Sequence, residues 1–135
     1  MAYIPKYILK RLIPEDALKI VDDKIEITFI NVISPIQITD IPEGDLSQYV
    51  DIAIDGKYFE GSEKSDFISQ IELHYEDKVV TLENVRDFDG LTLPVGGQIH
   101  VLCPNPGFSV GETHSITVKI LLDNPIEITA ERTVC

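Results

Sequence analysis

Short runs in which apolar and polar residues alternate recur along the chain, as in Lys24-Ile25-Glu26-Ile27-Thr28-Phe29 and Pro125-Ile126-Glu127-Ile128-Thr129-Ala130. A period of two sends every second side chain to the same side of an extended backbone, so these runs predict strands with one buried face. The clearest cover residues 24–33, 50–54, 68–75, 78–82, 98–102, 113–122 and 126–134. Shorter pieces at 36–38, 57–59 and 91–93 lie between breakers. Asp55-Gly56 is a strong tight-turn pair, and Asp22-Asp23, Glu76-Asp77, Gly96-Gly97 and Asp123-Asn124-Pro125 turn the chain elsewhere. About nine or ten short antiparallel strands at this spacing predict an all-β sandwich, jelly-roll or immunoglobulin-like, over one domain of residues 1–135.

Three stretches depart from the alternation. Residues 1–12 read as an extended leading segment that ends at Ile13-Pro14, because the residue before proline is pushed out of the α region. Pro14-Glu15-Asp16-Ala17 has the proline and acids of a helix start, so one short helix near residues 14–19 competes with a strand at 17–21 that turns at Asp22-Asp23. The hairpin is the favoured reading. Residues 40–48 and the polar stretch 60–66 read as loops, the latter mobile by composition, and residues 84–90 as an acidic loop around Phe88. At most one short helix is therefore expected.

Composition supports this picture: Ile occurs 20 times and Val 11 times against four Ala. β-branched side chains pack well on a pleated surface, and an alanine-poor chain builds helices badly. Charge narrows the partners. The formal net charge is −12, spread evenly, with 13 acids and seven bases up to Phe67 and ten acids and four bases after it. Such a surface repels a phosphate backbone and an anionic bilayer, so neither nucleic acid nor membrane is expected as a partner. The leading segment is the local exception: Lys6, Lys10 and Arg11 sit without acids among Tyr3, Ile4, Tyr7, Ile8, Leu9 and Leu12. These bases interrupt its apolar residues, so it does not read as a secretory leader, and no apolar run approaches a bilayer's span. With only Cys103 and Cys135, and no Asn-x-Ser/Thr acceptor, a reducing cytoplasm is the expected location.

Candidate chemistry is sparse. His74, His100 and His114 form no short His-x-His or His-x₃-His pairing of the kind that converges on a metal, so no metal ligand is expected from this chain. Cys103 lacks an adjacent base, since His100 lies three residues away along an extended strand and points to the other face. It reads as a small buried hydrophobe. Asp87-Phe88-Asp89-Gly90 lacks the spacing and closing Glu of a calcium loop, and there is no phosphate-binding glycine loop or Gly-x-Ser-x-Gly elbow. No catalytic residue is expected. The aromatics say more. Tyr3 and Tyr7 in the leading segment, and Asn105, Pro106 and Phe108 in the Pro/Gly-rich loop 103–111, suit a protein interface, while covering an open end of the core suits the aromatics equally.

The chain resembles the small β subunit of bacterial C-glycoside deglycosidases. The residues that carry the likeness are Lys6-Tyr7-Ile8, the strand Val50-Asp51-Ile52-Ala53-Ile54 with its Asp55-Gly56 turn, residues 91–101, and Phe108-Ser109-Val110-Gly111-Glu112-Thr113-His114. It runs over nearly the whole chain; where some members carry an aromatic-Arg-Gly run, this chain has Asn31-Val32-Ile33-Ser34-Pro35. The resemblance implies a β-sandwich partner for a larger TIM-barrel α subunit that holds a divalent metal, manganese or similar. The complex would cleave the carbon–carbon bond of 3-keto C-glycosides with flavonoid-type aglycones. The ketone acidifies the C2 proton, a base removes it, and the aglycone leaves from C1. The metal and base would belong to the α subunit. A stand-alone sandwich that binds carbohydrate or protein is the alternative, disfavoured for carbohydrate because the chain has no Trp on which sugar faces often stack.

Overall fold

The computed structural model describes residues 2–3, 5–32, 34–37, 46–121 and 125–135. The expected continuation through Ile38, most of the 40–48 loop and the Asp123-Asn124 turn lie outside the described residues. Twelve strands run through the described residues: β1 (Ala2–Tyr3), β2 (Leu18–Val21), β3 (Lys24–Ile30), β4 (Ile36–Gln37), β5 (Val50–Ile54), β6 (Lys57–Tyr58), β7 (Glu72–Tyr75), β8 (Lys78–Val80), β9 (Thr92–Leu93), β10 (Gln98–Pro104), β11 (Thr113–Ile120) and β12 (Ile126–Thr133). They form one five-stranded sheet in the order β1-β12-β11-β5-β6, a second in the order β2-β3-β10-β7-β8, and a small β4-β9 pair. All pairings are antiparallel except β1 with β12.

Register shows why the alternating runs fold this way. In the first sheet Val118 lies opposite Ile128 and Ile52, and Ile116 opposite Ala130 and Ile54, so one face is apolar throughout. Its other face carries Thr117 opposite Thr129 and Lys119 opposite Glu127 and Asp51. In the second sheet Ile27 pairs with Leu18 and Val101, and Ile25 with Ile20 and Cys103. The two apolar faces meet along a seam lined by Leu18, Ile27, Phe29, Ile116, Ile128 and Ala130. Leu18, Ile25 and Val134 are the most completely buried large side chains, each favouring the fold by about 1.5–3 kcal/mol through removal from water. This is the expected all-β, sandwich-like architecture, open rather than closed into a barrel.

Two α-helices stand among the described residues where at most one was expected, and neither lies at residues 14–19. Helix α1 (Lys6–Leu12) follows β1, at one edge of the first sheet, and precedes β2, at an edge of the second. Helix α2 (Gly61–Ser69) follows β6, at the opposite edge of the first sheet, and leads to β7 beside the edge strand β8. Each helix carries the chain from one sheet to the other. The leading segment is helical rather than extended because Leu12 is buried and Leu9 packs on the core, three residues apart on one stripe. Stretch 60–66 is helical because Phe67 and Ile68 enter the core, Phe67 stacked on Phe59 at 4.5 Å, and hold the polar turn before them. The strand expected from residue 68 accordingly starts only at Glu72. Pro14 begins a turn closed by the Ala17 N–H donating to the Pro14 carbonyl at 3.1 Å, and β2 follows, as the favoured hairpin reading required. The acidic loop around Phe88 contains a single 3₁₀ turn, Val85–Phe88.

Arg132 fastens α1 to the first sheet. Its Nε donates to the carbonyls of Ile13 and Pro14, each at 3.1 Å, and Nη2 donates to Ile13 at 2.6 Å. Among the described residues no helix is long and apolar enough to cross a membrane.

Candidate functional site

Residues 105–112 connect β10 to β11 and form a built loop. The Asn105 side chain is its hub: Oδ1 accepts from the N–H groups of Gly107 (2.9 Å) and Phe108 (2.6 Å), while Nδ2 donates to the Phe108 carbonyl. Asparagine closes such turns because its short amide mimics a peptide group two residues on. Gly107 sits at φ 103°, open to glycine and strained for a side chain. Phe108 is 5 % exposed and lies in the core, stacked flat on the His114 ring at 3.8 Å. His114 is held between two carboxylates, Nδ1 2.7 Å from Asp55 and Nε2 3.0 Å from Glu112. Glu112 also accepts from the Ser109 N–H, and Asp55 from the Ser115 N–H. The loop, the Asp55-Gly56 turn and the start of β11 are thereby locked together.

The electrostatics follow from the geometry. Hydrogen bonds to Glu112 first and Asp55 second hold the His114 pKa above that of free histidine. The same bonds, reinforced by the two backbone N–H donors, push both carboxyls below their usual range. With both ring nitrogens taken up by carboxylates of the chain itself, His114 acts as a clasp between the loop, the Asp55-Gly56 turn and β11.

His74 and His100 lie opposite each other on β7 and β10. His74 Nε2 is 2.9 Å from Glu72, which also accepts from Lys24 at 2.8 Å, and His100 Nδ1 is 3.1 Å from Thr28 Oγ1 and 3.3 Å from Glu26. Lys24, more than His74, lowers the Glu72 carboxyl. Among the described residues no group of three or more His, Cys, Asp or Glu side chains is arranged to hold a metal ion. Cys103 is buried, as expected of a small hydrophobe, although it lies within β10 rather than at the start of the loop. Desolvation raises its thiol pKa to about 12, far from a nucleophile at neutral pH.

The five residues expected at a partner interface separate into different roles. Tyr7 is 72 % exposed on α1, the most exposed large apolar side chain among the described residues. Tyr3 belongs to β1, and Pro106 stands exposed beside the Asn105 hub. Phe108 is buried in the core rather than exposed on the Pro/Gly-rich loop, its ring lying flat against that of His114. The loop's outward apolar residue is Val110, 69 % exposed, which the sequence reading passed over. The signal was its place between Ser109 and Gly111, where no strand partner can cover it.

A separate groove of about 420 Å³ lies where β6 runs into α2, lined by Asp51, Tyr58, Phe59, Glu60, Lys64 and Lys119. Lys64 donates to Asp51 at 2.9 Å, and the Lys119 ammonium stands 4.9 Å from the Tyr58 ring centre. Its charges are already largely paired inside the chain.

No protein-family model matches this chain, and no curated protein matches it in sequence.

Proposed function

We propose that this protein is the accessory β subunit of a C-glycoside deglycosidase complex in the cytoplasm. On this reading it assembles with a larger TIM-barrel α subunit that supplies a divalent metal, manganese or similar, and the base. The metal's contribution, in that partner, is stabilisation of the enolate formed when the 3-keto sugar loses its C2 proton. This chain's share is assembly and shaping of the mouth of the site. One observation carries the reading: the titratable clusters of the described residues are spent on internal locks, whereas Tyr7 and Val110 are held out into solvent by ordered scaffolds. Exposed aromatic and aliphatic side chains on rigid elements suit protein docking. The resemblance supplies the identity of the partner and the reaction.

Co-expression with a metal-dependent barrel protein encoded beside this chain tests the proposal. A stable complex in size-exclusion chromatography that cleaves a 3-keto C-glycoside is the expected result. Absence of a complex rejects it. Val110→Ser should weaken assembly by about 1–2 kcal/mol while leaving the isolated fold intact.

A second reading rests on the groove beside Tyr58. A half-exposed aromatic ring among Asp51, Lys64 and Lys119 can meet a hydroxylated ligand through stacking and hydrogen bonds, which favours a stand-alone carbohydrate-binding module. Glycan-array binding by the isolated chain, lost in Tyr58→Ala, would put this reading first.

A further inference from the structure

Helix α1 presents one coherent outward face. Lys6, Tyr7, Lys10 and Arg11 are exposed, at the i, i+1, i+4 and i+5 positions that share one side of a helix, while Leu9 and Leu12 turn to the core. Lys10 and Arg11 lie in the last turn, where the helix dipole favours cations, but that does not account for Lys6 or Tyr7. None of the four side chains has an ion pair, side-chain hydrogen bond or ring contact among the described residues. In a chain with 23 acids and 11 bases, three cations stand together where no carboxylate of the described residues pairs with them. The first acid of the chain is Glu15, beyond the helix.

We infer that this face docks onto an acidic patch of a protein partner, with Tyr7 seated in an apolar notch between carboxylates that meet Lys6, Lys10 and Arg11. The inference rests on the accessory-subunit reading and adds the chemistry of the contact. Charge complementarity selects the occupant. The rest of the chain is strongly acidic and repels phosphate-bearing surfaces, so a nucleic acid or an anionic bilayer would meet three cations at the cost of a much larger like charge behind them. A protein can confine its carboxylates to a patch the size of this helix face, whereas a nucleic acid or an anionic bilayer carries its charge well beyond it. Tyr and Arg are the residue types that contribute most where such contacts are desolvated. Opposite charges also steer encounter, so association should be fast and salt-sensitive.

The test uses the full chain and the metal-dependent barrel protein encoded beside it, with affinity measured by calorimetry at about 25 mM and about 300 mM salt, where screening lengths differ several-fold. Lys6→Glu/Lys10→Glu/Arg11→Glu should weaken binding at least about 30-fold at low salt, and the gap to wild type should shrink at high salt. Tyr7→Ala should weaken it by about 10-fold or more at both. Both variants should keep the wild-type circular dichroism spectrum, since all four side chains are exposed. Tyr7→Ala should also keep the melting temperature, and the charge-reversed variant should lose only the small amount that the cations of the last helical turn contribute. If wild type and variants bind the barrel equally, the docking inference fails while the accessory-subunit reading stands. If wild type does not bind it, both fail. Binding of wild type to phosphatidylserine vesicles, or self-association lost in the charge-reversed variant, would assign the face to another occupant and overturn the inference.

Discussion

At the scale of single residues, His114 makes stability depend on pH in a definable way. Its pKa is raised on folding from an ordinary 6.5, so its contribution is complete below 6.5 and is lost as pH rises through the higher folded value. Asp55 and Glu112 are shifted down from 3.8 and 4.5, so theirs is complete above 4.5 and is lost as pH falls through the lower folded values. The clasp therefore works best between these limits. Thermal melting of wild type against His114→Asn should show the largest difference in that window and a smaller one on either side. A difference independent of pH would mean that stacking on Phe108, not charge, is what His114 supplies. Cys103 gives a second residue-scale prediction. With its thiol pushed up to about 12 by burial, only the exposed Cys135 should react with a thiol reagent in the native protein, and Cys103 only after denaturation.

At the scale of elements, the two helices owe their existence to what they cover. Helix α1 has seven residues and α2 has nine, lengths at which an isolated helix is marginal in water. Removing the tertiary anchor should therefore unfold the element and not merely weaken it. Arg132→Ala strands the Ile13 and Pro14 carbonyls and should cost about 1–3 kcal/mol, with hydrogen exchange rising first in α1. Phe67→Ala removes the ring that stacks on Phe59 and should cost about 3–5 kcal/mol in denaturant unfolding, with α2 losing protection. The alternating strands were legible because each alternation reports burial on one face, a property of neighbours in sequence. The helices were less so. Stretch 61–66 is polar, and its helical state is decided by two residues at its end. In the leading segment the stripe of Leu9 and Leu12 was present, but it was short and lay beside exposed Tyr7, which blurs a helical period into an irregular one.

At the scale of the whole molecule, the two sheets meet through side chains drawn from both, so their packing should be cooperative. Leu18, with no exposed surface, joins the edge of the second sheet to the seam, and its backbone carbonyl accepts from the Cys135 N–H at 2.9 Å. Leu18→Ala should cost about 2–5 kcal/mol and shift a single transition seen alike by circular dichroism and tyrosine fluorescence. Separate transitions would show that the sheets unfold independently.

The amino-acid sequence alone determined the fold class, the main strands, the turns at Asp22, Asp55 and Glu76, and the buried character of Cys103. These follow from local periodicity and turn chemistry, which act between residues a few positions apart. Only the tertiary structure decided that Phe108 turns inward and Val110 outward, that Asp55 and Glu112 close on His114, and that Lys6, Tyr7, Lys10 and Arg11 share one free face. Asp55 and His114 are 59 positions apart, and Arg132 and Ile13 are 119 apart. No pattern in sequence spans such separations, because what joins these residues is the pairing of β5 with β11 and the return of β12 beside α1.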